Sequence, residues 1–240
     1  MHDLQQAADL VITCARGAAP FLQAELSELG CRSRPLDETA LEVRGQWADV
    51  LRLNLHLRSA QRILLPLATC TASTPDQLHA ALVREPWENL LHADGYFTVT
   101  TSIDTPSIRD PRFAGLRCKD AVVDRMNQAC GRRPDTGGER SGVVLHLRWH
   151  EQKATVFLDT SGEPLSRRGY RRIPLKAPMQ ETLAATCILA SPWRGASAFV
   201  NPMCGSGTLA IEAALVAINR APGLLRRHFS FQHVKGCREE

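Results

Sequence analysis

The stretch FVNPMCGSGTLAIEAAL, residues 199–215, constrains the fold more than any other part of the chain. Two apolar residues precede Asn201 and Pro202, Gly205 and Gly207 follow, and an apolar, alanine-rich run comes next. This order predicts a strand, a tight turn and a helix, whose first backbone N–H groups point into the gap. Glycines let a ligand approach such a turn closely and permit positive φ. Many strand–helix turns nevertheless use glycine for packing alone.

Length and composition indicate an ordinary globular protein of one large or two medium domains. The chain has 240 residues, of which 44% are hydrophobic and 22% charged. This is enough to bury a core. No run of apolar residues is long enough to span a membrane. The first fifteen residues lack the basic start and apolar segment of a signal peptide. A cytoplasmic location and no membrane association are therefore expected.

Cysteine and histidine spacing gives no reason to expect a metal site. The eight cysteines include no CxxC pair. His146 and His150 are four residues apart, a spacing that could hold a metal on a helix. The residues between and around them alternate as in a strand, however: Val143, Leu145, Leu147 and Trp149. We therefore expect both histidines on the polar face of a strand.

Basic residues are concentrated in two segments, although the net charge is only +4. The first segment, 109–119, contains Arg109, Arg112, Arg117 and Lys119. The second, 163–176, contains Arg167, Arg168, Arg171 and Arg172 around Tyr170. Either cluster alone could be a solvated face. Together they favour a phosphate-rich partner.

Hydrophobic periodicity predicts an α/β protein with a mixed sheet. Strands are predicted in DLVITCA, TALEV, RILLPLATCT, GYFTVTTSID, ASAFVN and both arms of SGVVLHLRWHEQKATVFLDTSG. Helices are predicted in APFLQAELSELG, QWADVLRLNLHLRS, TPDQLHAALVREPWENLL, GLRCKDAVVDRMNQACG, MQETLAATCILA and GTLAIEAALVAINR. Pro66 indicates an edge or a bulge, and Thr74 is the predicted N-cap of a helix with Pro75 at its first position. Residues 162–178 have linker composition.

The motif NPMCGSGTLAIEAAL resembles the first motif of class I S-adenosylmethionine-dependent RNA methyltransferases. The resemblance extends, in order, through TCARGAAPFLQAELSELG, RILLPLATC, TPSIRDPRFAGLRCKDAVVDRM, VFLDTSGEPLSRRGYR and KAPMQETLAATCILASPW. All of these are similar to the THUMP-containing large-subunit rRNA guanine-N2 methyltransferases. The likeness covers nearly the whole chain, through RAPGLL near residue 225.

This resemblance implies a protein of several parts. Residues 1–60 would form a ferredoxin-like domain, 61–160 a THUMP RNA-binding domain, 161–178 an Arg-rich linker and 179–240 the first part of a Rossmann-like methyltransferase domain. By the same resemblance S-adenosylmethionine would contact Asn201, Gly205, Ser206, Gly207, Thr208, Glu181 and Thr182. Glu181 could equally serve only the first turn of its helix. The implied partner is structured RNA, either 23S rRNA or a ribosome assembly intermediate, contacted by the two basic clusters.

Two departures from the family pattern limit the expected activity. Asn201 stands where the family most often has Asp, and no Asp or Glu occurs between Glu212 and Glu239 to hold a ribose. The family's catalytic Asn-Pro-Pro-aromatic element is absent as well, so the catalytic residues are expected beyond Glu240. We therefore expect an rRNA guanine-N2 methyltransferase that is catalytically incomplete as this chain. The alternatives are a non-catalytic RNA-binding module and an adenine-specific DNA methylase, which the THUMP-like region disfavours.

Overall fold

The computed structural model describes residues 6–105, 108, 110–171 and 178–237. Two of the predicted RNA-binding residues, Arg109 and Arg172, lie outside these ranges. The chain divides into two compact units. The first, here called the THUMP-like unit, comprises residues 1–6, 64–162 and 228–240. The second, the composite unit, comprises 7–63 and 163–227. Residues 163–171 of the predicted linker fall in the composite unit, together with the N-terminal strands and helices.

The N-terminal part of the composite unit alternates strands and helices. Its elements are β1 (Ala8–Cys14), α1 (Ala19–Glu28), β2 (Ser33–Asp37), β3 (Ala40–Gly45), α2 (Trp47–His56) and the beginning of β4 (Ala60–Thr71). β3 pairs antiparallel with both β1 and β2. Leu10, Ile12, Leu22 and Leu53 are fully buried between the strands and helices. Strand β2 was not predicted, because SRPLD is a largely exposed, polar strand without apolar alternation.

The C-terminal part of the composite unit contributes two helices, α5 (Glu181–Ala190) and α6 (Thr208–Ala217), and a 3₁₀ turn at Pro222–Leu225. The strand predicted at ASAFVN is wrong: residues 196–201 form no regular element. A strand requires a hydrogen-bonding neighbour, and no described strand pairs with this segment. Val200 is accordingly 80% exposed.

The THUMP-like unit consists of a mixed sheet and helices. Its strands, in the order β4-β8-β7-β5-β6, include β5 (Tyr96–Asp104), β6 (Asp135–Thr136), β7 (Val143–His150) and β8 (Lys153–Asp159). Its helices are α3 (Pro75–Leu82), α4 (Pro111–Cys130) and 3₁₀ turns at Trp87–Asn89 and Ser230–His233. β7 and β8 form the predicted hairpin, and the register of β4 shifts between Pro66 and Ala68, which confirms the predicted bulge.

Helix α4 shows how the sequence fixes its ends. The Asp110 side chain accepts a hydrogen bond from Arg112 N, Pro111 occupies the first turn, and Gly131 ends the helix in the left-handed region with φ 64°. Val122, Val123 and Met126 are buried. Leu116, on the same helix, is 45% exposed. Across the described ranges, none of the helices combines the length and apolar character needed to cross a membrane.

Candidate functional site

The glycine turn before α6 leaves open space at its glycines. Gly205 and Gly207 have φ of 52° and 75°, in the left-handed region that favours glycine. A Cβ on Gly205 would meet no atom within 4 Å, and one on Gly207 would meet only Ile211 Cδ1, at 3.9 Å. Gly207 N donates to Cys204 O at 2.8 Å, which closes the turn. Because Gly207 is the N-cap, the turn delivers the chain directly into α6.

The predicted cofactor residues near this turn are joined by hydrogen bonds. Ser206 Oγ and Thr208 Oγ1 are 2.9 Å apart. Arg171 Nη2 donates to Thr208 Oγ1 at 3.2 Å and forms an ion pair of 3.2 Å with Glu181 Oε1. The structure therefore brings Glu181, Ser206 and Thr208 together around one linker arginine. Asn201 is half-buried at the start of the turn.

Thr182 supplies a second feature of this region. The residue is only 1% exposed, and its Oγ1 has no hydrogen-bond partner. A buried hydroxyl without a partner costs about 1–3 kcal/mol. Such an atom is a position at which a bound polar molecule or water gains a hydrogen bond. Glu181 and Thr182 begin α5, where backbone N–H groups are also available.

One turn further along α6, Glu212 is the centre of a buried ionic cluster. Its side chain is 0% exposed, and Oε1 lies 3.5 Å from Arg168 Nε and 3.0 Å from Tyr170 Oη. Burial raises the pKa of Glu212 despite the positive charge of Arg168. Burial also raises the pKa of Tyr170, as does the neighbouring Glu212 carboxylate. Carboxylate, guanidinium and phenol thus hold one another in the interior of the composite unit.

Arg168 corrects the prediction that all four linker arginines bind RNA. Its side chain is 1% exposed and donates to Leu165 O at 2.9 Å and to Arg58 O at 2.5 Å. It is therefore inaccessible to a phosphate in this structure. Arg171 is committed to Glu181 and Thr208, whereas Arg167 remains 73% exposed and pairs with Glu163. Only Arg167 among the described linker arginines has the exposure that the prediction requires.

The predicted cluster on α4 has a different environment. Arg112 is 91% exposed and pairs with Asp110, the N-cap residue of α4. Arg117 Nη2 lies 2.6 Å from Asp76 Oδ1. Lys119 is half-buried. Arg112 is therefore exposed, whereas Arg117 and Lys119 are partly buried, and the cluster stays a predicted RNA contact.

The two histidines of β7 take the positions expected from strand alternation. His146 Nδ1 is 2.9 Å from Thr100 Oγ1, and His150 Nε2 is 3.5 Å from Asp104 Oδ2. In the part of the chain that the structure describes, no group of three or more His, Cys, Asp or Glu side chains is arranged to hold a metal ion.

Comparison with known families adds the class of protein. A model described as RlmL ferredoxin-like domain matches residues 9–64, a THUMP domain model matches 72–159, and a model described as RMKL-like, methyltransferase domain matches 168–240. This order, with the mixed α/β fold and the glycine turn, defines a THUMP-containing methyltransferase architecture: a ferredoxin-like domain, a THUMP domain and a Rossmann-like methyltransferase portion.

Curated relatives narrow this class. The chain is 41% identical over 224 residues to the ribosomal RNA large subunit methyltransferase K/L of Syntrophotalea carbinolica, covering 91% of the chain and 31% of the relative. It is 41% identical over 229 residues to the protein of the same name from Magnetococcus marinus, covering 94% and 32%. The chain belongs to this rRNA methyltransferase family. It spans about a third of the length of these relatives.

Solved structures support the same fold. A predicted N6-adenine-specific DNA methylase from Listeria monocytogenes superposes with a TM-score of 0.84 at 30% identity, covering 97% of this chain and 61% of that one. A putative methyltransferase complexed with SAH superposes with a TM-score of 0.83 at 30% identity, covering 98% and 62%.

The contacts between the linker arginines and α6 were not predicted from the sequence. The paired arginines were visible, but they were assigned to a surface cluster. The available signal was Glu212, a lone carboxylate in the otherwise apolar run GTLAIEAALVA. A charge at such a position is buried only with a partner.

Proposed function

We propose that this chain is the RNA-binding and cofactor-turn portion of a methyltransferase. The enzyme would transfer a methyl group from S-adenosylmethionine to the exocyclic N2 of a guanine in 23S rRNA. The observation that carries the proposal is the glycine turn at 201–207, open at Gly205 and Gly207 and continuous with α6. The names of the curated relatives and the SAH-bound structural neighbour support the reaction class.

The residues at the turn fit one end of such a cofactor. Backbone N–H groups at the start of α6 favour a carboxylate, and the Asn201 amide can accept a hydrogen bond from an ammonium group. The unpartnered Thr182 hydroxyl and the Thr208 hydroxyl would hold further polar atoms. When bound, the sulfonium supplies an electrophilic methyl group. The protein's part is to bind and orient it.

The guanine and ribose ends of the site have no counterpart among these 240 residues. No carboxylate occurs between Glu212 and Glu239, and Asn201-Pro202 is followed by Met203 and not by Pro. Each missing contact removes on the order of 1–3 kcal/mol. We therefore expect the 240-residue chain to bind S-adenosylmethionine with a Kd on the order of millimolar and to transfer no methyl group. Its proposed partner is structured 23S rRNA or a ribosome assembly intermediate.

A second candidate, an RNA-binding module without methyl transfer, is favoured by the irregular backbone at 196–201. In a doubly wound domain this segment would be a central strand, and its order would help to fix the glycine turn. The two candidates differ in whether the turn binds the cofactor at all.

The test is a titration of the 240-residue protein with S-adenosylmethionine, in which the chemical shifts of the backbone amides are monitored by NMR. We expect shifts confined to residues 179–182 and 201–209. Gly205→Ala should abolish them, because a methyl group then stands in the open space of the turn. Gly17→Ala is the matched control, since Gly17 also has positive φ (82°) and no atom within 4 Å of a Cβ. It should bind as wild type at a similar cost in stability.

Two results would contradict the proposal in different ways. Absence of any shift at 201–209 would remove the cofactor assignment and leave the RNA-binding module. Micromolar affinity by calorimetry would show that the 240 residues already supply the cofactor contacts that we propose are missing. Methyl incorporation into 23S rRNA would show the same for the guanine contacts.

A further inference from the structure

The THUMP-like unit contains a cavity of about 380 Å³ at the beginning of β5. Its lining comes from four separate segments: the turn before β5 with the beginning of that strand, Pro134 before β6, the loop before β7 with the beginning of that strand, and the 3₁₀ turn at 230–233. The lining residues that carry the argument are His92, Asp94, Tyr96, Ser141, Gln232 and His233. The volume lies near the lower end of the range of about 300–1,000 Å³ for small-molecule sites. It therefore suits one small ligand.

The wall formed by Tyr96 and the loop before β7 is fixed by close backbone packing. A Cβ on Gly142 would lie 2.1 Å from Tyr96 O, so only glycine permits this approach. Glu139 N donates to Tyr96 Oη at 3.1 Å, and Asp135 N donates to Gly95 O at 3.0 Å. Thr98 Oγ1 donates to Gly137 O at 2.6 Å. These contacts hold the loop against β5 and preform the cavity.

The second wall comes from a distant part of the chain. Ser230 Oγ accepts a hydrogen bond from Val144 N at 2.7 Å, and Phe231 N donates to Thr160 O at 3.2 Å. Lys235 N donates to Leu90 O at 2.9 Å, and Lys235 Nζ donates to Glu88 O at 2.7 Å. Segment 228–237 is thus held by hydrogen bonds near both of its ends, and Gln232 and His233 lie between these contacts at the cavity. The THUMP domain match ends at residue 159, so this wall lies outside it.

The lining has the side chains that recognise a nucleobase. Aromatic and imidazole rings stack on unpaired bases, and Tyr96, His92 and His233 supply three such rings. Asp94, Ser141 and the backbone offer hydrogen-bonding groups for a base edge. Arg132 and Arg133 directly precede Pro134, which lines the cavity, and both arginines are exposed. A phosphate attached to the base would therefore find positive charge close by.

We propose that this cavity binds a single nucleotide, with the base inside and its phosphate at the rim. The inference rests on the proposed RNA binding of this chain. The same chemistry belongs to an unpaired nucleotide of RNA and to a free nucleoside monophosphate. An unpaired RNA nucleotide is the source that agrees with the proposed function.

The probes are the four nucleoside monophosphates and a short single-stranded oligoribonucleotide of mixed sequence, each titrated into the 240-residue protein. Amide shifts should appear at residues 91–97, 141–143 and 232–233 with both kinds of probe. The oligoribonucleotide should bind at least tenfold more tightly than a monophosphate. Displacement of the monophosphate by the oligonucleotide assigns RNA as the source. Binding of the monophosphate alone supports the nucleotide site and assigns the free nucleotide as its ligand.

Two variants test the cavity directly. Ser141→Trp fills the cavity from an exposed position and should weaken oligonucleotide binding about tenfold. Arg132→Ala with Arg133→Ala should weaken it several-fold and reduce its salt dependence, since each lost phosphate contact lowers the log–log slope by about 0.7 for a single strand. Arg84→Ala with Lys153→Ala is the matched control: both residues are exposed in the same unit, and neither lines the cavity.

The results of these experiments test the nucleotide site independently of the proposed function. RNA binding with no shift at the cavity, and with wild-type affinity for Ser141→Trp, would overturn the nucleotide site and leave the function intact. Monophosphate shifts at the cavity in a chain that binds no RNA would support the site and contradict the RNA-binding function.

Discussion

The two basic clusters, on α4 and in the linker, have similar composition and different structural roles. On α4, Arg112 is 91% exposed and its partner Asp110 is also at the surface. In the linker, Arg168 is 1% exposed and its partner Glu212 is 0% exposed. The difference shows that the exposure of a run of arginines depends on where their carboxylate partners lie. For Arg168 that carboxylate is 44 residues away in sequence.

The energetics of the two clusters differ accordingly. An exposed ion pair contributes about 0–1 kcal/mol, because water screens both charges. Removing one partner of a buried pair costs about 3–5 kcal/mol, since it leaves the other charge without compensation. Arg168 also donates to two backbone carbonyls, of Leu165 and Arg58. The linker arginine therefore joins the ferredoxin-like part to helix α6 within the composite unit.

The largest expected effect is on stability. Arg168→Ala should lower the free energy of unfolding by about 3–5 kcal/mol, because Glu212 stays buried without its cation. Arg167→Ala, one residue earlier and 73% exposed, should change it by less than about 0.5 kcal/mol. Urea unfolding followed by circular dichroism measures both.

A double variant sharpens this result. Arg168→Met with Glu212→Leu removes both charges and should recover part of the loss, because a packed apolar pair replaces the ionic one. Equal stability of Arg168→Ala and Arg167→Ala would show that the buried ionic cluster contributes little.

The next expected effect is on RNA binding. Replacing Arg112, Arg117 and Lys119 together by Ala should weaken binding of structured rRNA fragments about tenfold and flatten the salt dependence. The matched control replaces Arg16, Arg34 and Arg44, which are exposed and ion-paired in the composite unit. Fluorescence anisotropy at several salt concentrations compares them. If both triple variants lose affinity equally, the effect is one of net charge and the α4 surface is not an RNA contact.

Sequence patterns predicted most of the fold because local rules decided it. The capped helices α3 and α4, the β7–β8 hairpin and the bulge at Pro66 follow from Thr74, Gly131, residue alternation and proline chemistry. Strand 196–201 was predicted wrongly because alternation and β propensity do not supply a pairing neighbour. The site was predicted at the level of the glycine turn. The contacts that Arg171 makes with this turn and that Arg168 makes with α6 were not predicted, because they depend on tertiary structure.

The smallest expected effect concerns Arg125, the α4 arginine that resembles the linker case most closely. Arg125 Nε donates to Glu88 Oε2 at 2.9 Å, and Nη2 contacts the other oxygen. Both side chains are mostly buried, at 29% and 21% exposed. The hydrogen bonds from Arg125 lower the pKa of Glu88. The pair therefore lies between the exposed ion pair of Arg112 and the buried pair of Arg168.

A lowered folded-state pKa fixes the sign of the pH dependence. The folded state then binds the proton of Glu88 more weakly than the unfolded state, so the pair stabilises the protein above the unfolded pKa of about 4.5. That stability is lost as pH falls through the folded pKa. Glu88→Gln should thus cost about 1 kcal/mol at neutral pH, and the difference from wild type should shrink in acid. Glu38→Gln, which removes a 71% exposed partner of Arg16, is the control. A Glu88→Gln difference that is constant from pH 7 to the acid limit would mean that the lost contact is steric and not ionic.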